Sequence, residues 1–463
     1  MKTNSDDLAY LRRFAAATGA DKALGWRIGS DPCEDGWSGV ECGDAGKVAV
    51  INIQDKGLFG TLRVLRLDGN AFTNMPEKFF GGMPGILGFN ISNNTALAGW
   101  TLSEELHSLT QLRSFQASHA GINGTLYRFF SNGTNGFPFP SLDKVSLAFN
   151  HLSGHVPEIK GSTISELDLS NNMLSGSISF ISDVASSMEQ LRLSHNHFTG
   201  PMPEFTDFKG LYFLYVDHNH ISGVVPASLT QLSSIMVVYL SGNFLQGPVP
   251  EFDSSVHTDV AKAATRGNFC RLDRGPCDPE VESLLLIARA FGYPSSFATS
   301  WQRNDACAGW IGVHCDDHRR VTGINLSRIG LNGTMDSAFG SLQSLEAILL
   351  SGNNIFGEIP ESVVQLPSLR IIDVSNNNLV GTVPKFRDDI AVWAEGNPRL
   401  KLSGSSLSTP STACFFSLII GRIEFNTAYV RVEQTQPRQL QSKKCIRDNT
   451  SVPSTEKGIR AQK

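Results

Sequence analysis

A repeat of about 24 residues runs through most of this 463-residue chain and constrains its fold more than any other feature. The regular repeats each contain an asparagine at the same position, and these asparagines follow one another at steps of 22, 24, 23 and 24 residues: Asn150, Asn172, Asn196, Asn219 and Asn243. Less regular repeats come earlier, at Asn70, Asn94 and Ala120, and the pattern returns later, at Asn353 and Asn377. A unit this short cannot bury its apolar side chains alone, so the repeats must stack into an array.

Each regular repeat has the same internal pattern, L-x-x-L-x-L-x-x-N-x-L-x-G-x followed by a hydrophobic residue and proline, as in residues 145–157. This is the leucine-rich-repeat signature. Its L-x-L segment forms a short strand, its leucines point inward, and its asparagine bonds backbone groups where the chain leaves the strand. The L-x-G-x-I/V-P half is typical of plant repeats and bends into a second strand or a 3₁₀ segment. The sequence therefore predicts an α/β leucine-rich-repeat solenoid with parallel strands on the concave face.

A cysteine-bearing module interrupts the repeats and restates the start of the chain. Trp26 is followed by DPC and GWSGVEC, and Trp301 is followed by DAC and GWIGVHC. Each copy follows an amphipathic helical pattern, over residues 7–18 and 280–291, and the second copy precedes a strand-like run at 321–326. The duplication predicts two arrays separated by a disulfide-bearing non-repeat island. The second module must then contact both arrays, capping the end of the first and the start of the second.

The chain is therefore divided into five predicted segments: an N-terminal cap, 1–49; a first array, 50–250; the island with the second cap, 251–320; a second array, 321–400; and a linker with a disordered tail, 401–463. Two irregularities interrupt the first array. Sequence is predicted to be missing after Leu62, because the next strand begins at once with Arg63. The insertion at 129–140 is predicted to be a surface loop.

The cysteines and the glycosylation sequons both indicate an oxidising compartment. Six of eight cysteines lie in close pairs that suit local disulfides: Cys33 with Cys42, Cys270 with Cys277, and Cys307 with Cys315. Reduced core cysteines are the alternative, and zinc is disfavoured because no pair has CxxC spacing. Six sequons ahead of the tail are predicted glycosylation sites: Asn90, Asn93, Asn123, Asn132, Asn325 and Asn332. A seventh lies at Asn449, and Asn90 and Asn93 are too close for both to be used.

Net charge and motifs argue against nucleic-acid binding and against catalysis. The net charge of −5 gives no electrostatic reason to expect a nucleic-acid partner. The sequence has no GxxxxGK[ST], HExxH or GxSxG motif and no kinase HRD or DFG, so we expect no enzyme activity and no cofactor. Five histidines near the repeat turns form a conceivable metal-binding ridge: His151, His195, His197, His218 and His220. Solvated turn residues are the favoured interpretation, and no metal is expected.

Recognition by such a scaffold uses the side chains that lie between the leucines of the concave strands. The predicted contact residues are Asp168, Arg192, Tyr215, Asp217 and Tyr239, with Ser170, Ser194 and Ser241 at equivalent positions. Tyr215 and Tyr239 lie one repeat apart and should stand side by side, as expected of an aromatic contact patch. The alternative is that these side chains merely cover the sheet. The island is a second candidate surface, with Trp301 and Trp310 expected in its core.

The combination of plant-type repeats, an island reading ESLLLIARAFGYP and SWQRNDACAGWIGVHC, and further repeats resembles one family. It is similar to the ectodomain of the plant transmembrane-kinase (TMK) family of leucine-rich-repeat receptor-like kinases, over residues 7–400. The resemblance implies a plasma-membrane receptor with a cytoplasmic Ser/Thr kinase in auxin-linked growth signalling. It also implies an extracellular partner that is a protein, or a protein with a small ligand, such as an apoplastic auxin-binding protein or a co-receptor.

The sequence departs from that family at its ends. Residues 1–10 have no apolar run of the signal-peptide type, no stretch of about 18 apolar residues could span a bilayer, and the kinase is absent. We therefore expect a receptor ectodomain truncated before the membrane span and kinase, extracellular in the family and secreted or mislocalised if expressed as written. The alternative function is a secreted inhibitor of a cell-wall enzyme, similar to polygalacturonase-inhibiting proteins. Those proteins have one uninterrupted array, so the island disfavours this alternative.

Overall fold

The computed structural model describes residues 25–401 with gaps at 43–45, 47, 52–62, 76–78, 81–82, 84, 132–136, 267 and 274, together with residues 2, 3, 5, 8, 9, 11, 12 and 15. The predicted tail, the predicted break after Leu62 and most of the predicted first helix lie outside the described residues. Within the described part, none of the helices has the length and apolar character needed to cross a bilayer.

Short strands that recur twice in each repeat make up most of the regular secondary structure. In the first cap and first array they are β1 Val40–Cys42, β2 Val48–Ile51, β3 Val64–Arg66, β4 Gly88–Asn90, β5 Trp100–Thr101, β6 Ser114–Gln116, β7 Ile122–Gly124, β8 Lys144–Ser146, β9 His151–His155, β10 Glu166–Asp168, β11 Met173–Gly176, β12 Gln190–Arg192, β13 His197–Gly200, β14 Phe213–Tyr215, β15 His220–Val224, β16 Val237–Tyr239, β17 Phe244–Gly247, β18 His257–Thr258 and β19 Asn268–Phe269. In the second they are β20 Val313–Cys315, β21 Val321–Asn325, β22 Asn332–Thr334, β23 Ala347–Leu349, β24 Asn354–Gly357, β25 Ile371–Asp373, β26 Asn378–Thr382, β27 Ala391–Trp393 and β28 Arg399–Lys401.

Among the described α-helices, only one, α4 Pro279–Ala290 in the island, is longer than two turns. The α-helices are α1 Tyr127–Phe130, α2 Ala227–Thr230, α3 Val260–Arg266, α4 Pro279–Ala290 and α5 Ser295–Ser300. The 3₁₀ helices are Glu104–Ser108, Ile178–Val184, Ser337–Ser341 and Glu361–Gln365. The start of α4 is fixed by Asp278, whose carboxylate accepts a hydrogen bond from the Glu280 N–H, and by proline at the first helical position. The predicted second amphipathic helix is thus confirmed.

Apart from the antiparallel pair β20–β21, the strands of the arrays pair in parallel into two sheets per array. The L-x-L strands form a nine-stranded sheet in the order β18-β16-β14-β12-β10-β8-β6-β4-β3, and the second half-repeats form an eight-stranded sheet, β19-β17-β15-β13-β11-β9-β7-β5. The second array has sheets β20-β21-β23-β25-β27 and β22-β24-β26-β28. Leu167 and Leu169 are buried whereas Asp168 between them is half-buried, because alternate strand residues face opposite sides. The predicted solenoid with two arrays is confirmed, and the L-x-L sheet is its concave sheet.

A ladder of buried asparagines ties successive repeats together, as predicted. Asn196 donates from Nδ2 to the Leu169 carbonyl at 2.9 Å and the Leu193 carbonyl at 3.1 Å, and its Oδ1 accepts from the Leu174 N–H at 2.9 Å. The same bonds recur at Asn94, Asn150, Asn172, Asn219, Asn243, Asn353, Asn377 and Asn397. Each ladder asparagine therefore fixes both its own turn and the turn of the repeat before it.

The prediction of a surface loop over residues 129–140 is wrong at both ends of the insertion. Phe129 and Phe130 at one end, and Phe139 at the other, are almost completely buried. The Phe129 ring lies 5.2 Å from the Phe115 ring and 5.0 Å from the Phe139 ring, measured between centroids. Burial of this aromatic surface outweighs the turn-forming residues between them, so the insertion enlarges the core.

The two cysteine-bearing caps have the same construction. In each, an antiparallel strand pair, β1–β2 or β20–β21, has a register shift beside the second cysteine of the module. Disulfides join the three predicted pairs, Cys33–Cys42, Cys270–Cys277 and Cys307–Cys315. The tryptophans stack in both caps, with centroids 4.9 Å apart for Trp26–Trp37 and 5.5 Å apart for Trp301–Trp310. Trp301 and Trp310 are buried, as predicted.

The second cap contacts both arrays. The hydrophobic residues of the described chain form two cores that divide between Phe269 and Cys270. Across this division the eight-stranded sheet donates three side-chain hydrogen bonds to backbone carbonyls of the cap: Ser222 to Tyr293, Gln246 to Trp301 and Asn268 to Ala298. On the other side, the Glu280 carboxylate accepts from the Val321 N–H at 3.0 Å. The joint with the first array therefore includes three side-chain hydrogen bonds, beside the apolar contact of Val224 with the second core.

Candidate recognition surface

The register of the concave sheet aligns four of the five predicted contact residues in one row. Asp168 of β10 pairs with Arg192 of β12, Arg192 with Tyr215 of β14, and Tyr215 with Tyr239 of β16. Neighbouring strands of a sheet are about 4.8 Å apart, so consecutive side chains of this row are within contact distance. The predicted side-by-side placement of the two tyrosines is confirmed.

An aromatic patch occupies the far end of this row, and we define it as Gln190, Arg192, Phe213, Tyr215 and Tyr239. The rings of Tyr215 and Tyr239 meet edge to face with centroids 5.0 Å apart. The guanidinium carbon of Arg192 lies 5.5 Å from the Tyr215 centroid and 6.0 Å from the Phe213 centroid. These distances are those of cation–π contacts. All five side chains are half-buried, so the patch offers both apolar area and charge to a partner.

Hydrogen bonds hold the patch in place at both edges. Arg192 donates from Nη2 to Gln190 Oε1 at 2.9 Å, and Gln190 donates from Nε2 to the Tyr212 hydroxyl at 2.8 Å. At the other edge, His257 Nε2 and the Tyr239 hydroxyl lie 3.0 Å apart in a hydrogen bond. Side chains fixed in this way lose little conformational entropy on binding.

Sequence reasoning missed Gln190, Phe213, Tyr212 and His257. The first two were recognisable, because they lie two residues before Arg192 and Tyr215 on the same strands and therefore on the same face. His257 was not recognisable. It lies in β18, which joins the concave sheet beside β16 although its segment has no repeat pattern.

The two acidic residues among the predicted contact residues accept hydrogen bonds from within the protein. Asp168 Oδ1 accepts from both the N–H and the hydroxyl of Ser170, at 3.0 and 2.6 Å. Asp217 accepts from the Ser194 hydroxyl and from His218 Nδ1, and its side chain is only 13% exposed. Both carboxylates order the exits of their strands, and Asp217 presents little surface to a partner. Ser241, another predicted face residue, is almost completely buried.

An ion pair lies next to the patch in the adjacent row. Lys144 Nζ is 2.6 Å from Glu166 Oε1, and Glu166 pairs in register with Gln190 of the patch. The hydrogen bond with Glu166 raises the pKa of Lys144. Both side chains are partly solvated, so the pair contributes little to stability. It gives the concave face a charged, hydrophilic border.

The five turn histidines are all exposed, as expected of solvated residues. Four of them are paired across successive repeats. The His195 and His218 rings stack with centroids 4.2 Å apart, and the His197 and His220 rings lie 5.5 Å apart. Among the described residues, His195, Asp217 and His218 form a group whose potential metal-ligand atoms all lie within 4.8 Å of one another.

The predicted glycosylation asparagines differ in accessibility. Asn93 and Asn332 are exposed, whereas Asn90, Asn123 and Asn325 are half-buried within strands. Asn132 lies outside the described residues. Glycosylation at these positions stays a prediction.

Two family models match the chain. The leucine rich repeat N-terminal domain matches twice, at residues 4–43 and 277–316, which confirms the duplicated cap. The leucine rich repeat model matches residues 319–379, in the second array.

Curated plant proteins are similar over most of the chain. "Receptor-like kinase TMK2" of Arabidopsis thaliana is 34% identical over 68% of this chain and 39% of its own length, and "Receptor-like kinase TMK4" of the same species is 32% identical over 71% and 38%. "Receptor protein kinase WSS1" of Oryza sativa subsp. japonica is 36% identical over 83% of this chain and 45% of its own length. The chain thus spans less than half the length of these relatives.

Proposed function

The chain is a relative of the plant transmembrane-kinase family of leucine-rich-repeat receptor-like kinases, similar to their repeat-bearing ectodomain, and we propose that it is a non-catalytic extracellular recognition module. The observation that supports this proposal most is the aromatic patch on the concave face. Its tyrosines, phenylalanine and arginine are residue types that dominate the binding energy of protein interfaces.

The chemistry of the patch suits a protein or peptide partner. Tyr215, Tyr239 and Phe213 offer rigid aromatic area, and the planar guanidinium of Arg192 can bind a carboxylate through two parallel hydrogen bonds. The partner proposed from the family resemblance is an apoplastic auxin-binding protein or a co-receptor, and the process is auxin-linked growth signalling. In that case a carboxylate of the protein, or of a small ligand that it carries, would meet Arg192.

Site-specific photo-crosslinking of the full chain tests the location of the partner surface. A benzophenone amino acid replaces Tyr239 in one preparation and Tyr127 in another, and both are mixed with extracellular wash fluid from plant tissue. Tyr127 is an exposed tyrosine of α1, outside the patch, and is the matched control. We expect partner crosslinks at position 239 that are absent at position 127. Equal crosslinking at both positions, or none at 239, would contradict the proposal.

A binding assay with a purified probe tests the finer proposal. The immobilised chain is exposed to a recombinant apoplastic auxin-binding protein with and without indole-3-acetic acid. We expect binding to be lost in the Tyr215→Ala/Tyr239→Ala variant and kept in Tyr127→Ala. Equal binding by these variants would contradict the assignment of the patch as the binding surface. Absence of binding by all of them would contradict the proposal that the partner is an auxin-binding protein.

A further inference from the structure

Two histidines of successive repeats are held face to face at the rim of the concave sheet. His195 and His218 each directly precede a ladder asparagine, and each has a positive φ, +57° and +54°. The ladder bonds of Asn196 and Asn219 fix these turns to their neighbours. The spacing of the repeats therefore places the two imidazole rings 4.2 Å apart, with only 12° between their planes.

A carboxylate completes the group. Asp217 precedes His218 in the sequence, and its Oδ2 accepts a hydrogen bond from His218 Nδ1 at 2.7 Å. A metal ion bound by both residues would take the place of the proton between His218 Nδ1 and Asp217 Oδ2, since metal ligands must be deprotonated. The Ser194 hydroxyl donates to the other oxygen of Asp217, so the carboxylate is itself held in place.

We propose that His195, His218 and Asp217 form a binding site for a divalent transition-metal ion of the zinc class. Two imidazole nitrogens with one carboxylate are a donor set typical of Zn²⁺, whereas Ca²⁺ and Mg²⁺ prefer oxygen ligands alone. The ligand atoms lie within 4.8 Å of one another, and both histidines are exposed to solvent, from which the ion would enter. With three protein ligands, a fourth coordination position remains for water or for a group of a partner.

The same two repeats contain a natural comparison. His197 and His220 are a second exposed pair, two residues further along each repeat, with ring centroids 5.5 Å apart and 34° between planes. Among the described residues this pair is not part of a three-ligand group. The two pairs share residue type, spacing and exposure, and differ in the adjacent carboxylate. The proposed site does not depend on the identity of any protein partner.

Isothermal titration of the full chain with zinc chloride tests the site, at neutral pH and with an affinity tag that lacks histidine, since imidazole itself binds zinc. We expect saturable binding of one ion per chain. The variant His195→Ala/His218→Ala should abolish it, and Asp217→Asn, which replaces an anionic ligand by a neutral amide, should weaken it by at least roughly 10-fold, the smallest loss seen even for residues that only support a ligand. The matched variant His197→Ala/His220→Ala should bind as the unchanged chain does.

Circular dichroism and thermal unfolding confirm that each variant retains the fold, so that loss of binding is not loss of structure. Extended X-ray absorption at the zinc edge on the loaded chain should show nitrogen and oxygen ligands with histidine scattering. The proposal is overturned by the absence of saturable binding, by unchanged binding in His195→Ala/His218→Ala, or by an equal loss in the His197→Ala/His220→Ala variant.

Discussion

Tyr215 and Tyr239 meet edge to face with ring centroids 5.0 Å apart because the repeat places them at the same position of neighbouring strands. The contact thus follows from the register of the concave sheet. The register is kept although the steps along the row vary between 22 and 24 residues, because the connections between the strands absorb the difference.

The two tyrosines should be energetically coupled. Edge-to-face pairs contribute about 0.5–1.5 kcal/mol beyond the area that they bury. A double-mutant cycle with Tyr215→Ala, Tyr239→Ala and the double variant, followed by urea unfolding, should return a coupling energy in that range. A parallel cycle with Tyr127→Ala and Tyr239→Ala should be additive, because Tyr127 lies in α1, outside the patch. Additivity in both cycles would mean that the tyrosines do not interact.

Removal of one ladder asparagine should destabilise the array strongly. Asn196→Ala leaves the N–H of Leu174 without its partner inside the core. It also removes one of two asparagine donors from each of the carbonyls of Leu169 and Leu193, which keep their bonds to Asn172 and Asn219. The unsatisfied N–H costs about 1–3 kcal/mol and each of the two lost hydrogen bonds about 0.5–1.5 kcal/mol, so the free energy of unfolding should fall by about 2 kcal/mol or more.

Chemical denaturation measures this loss, and an exposed residue of the following strand gives the control. His197→Ala removes an exposed side chain of β13 and should change stability by less than about 0.5 kcal/mol. Equal midpoints for Asn196→Ala and His197→Ala would show that the ladder bonds are not needed for stability.

The sequence predicts those parts of the structure that recur at the repeat period. Leucine burial, the asparagine ladder and the row from Asp168 to Tyr239 follow because one register applies to every repeat. Contacts made by non-repeating segments could not be predicted. His257 reaches the patch from a strand without the pattern, and Phe139 enters the core from an insertion. The hydrogen bond between Asp217 and His218 also could not be predicted, because it depends on side-chain rotamers rather than on spacing.

Glu280 should make the stability of the second cap depend on pH. Burial raises the pKa of this carboxyl above its ordinary value of 4.5, and the Val321 N–H opposes the shift only in part. The folded chain therefore binds the proton more tightly than the unfolded chain. The free energy of unfolding should fall as pH rises from 4.5 through the raised pKa, where the buried carboxyl becomes charged.

The variant Glu280→Gln isolates this effect, since its amide is neutral at every pH and its Oε1 can still accept from Val321. The difference in unfolding free energy between Glu280→Gln and the unchanged chain should grow in favour of the variant as pH rises through that window. Thermal unfolding between pH 4 and 7 measures it, with other titrating groups cancelling in the difference. A difference that stays constant over this range would contradict the prediction.

The joint between the first array and the second cap should be disrupted by one methyl group at Gly223. A Cβ there would lie 2.4 Å from the Tyr293 ring, and the residue has φ +88°. Gly200 is the corresponding glycine one repeat earlier, with φ +78° and open space around its would-be Cβ. Gly200→Ala thus measures the backbone cost alone, about 1–2 kcal/mol. Gly223→Ala should cost about 1–3 kcal/mol more, through overpacking against Tyr293.

Hydrogen exchange should be faster in α4 and α5 only for Gly223→Ala. Equal protection in the two variants would mean that the Tyr293 ring moves aside without loosening the joint.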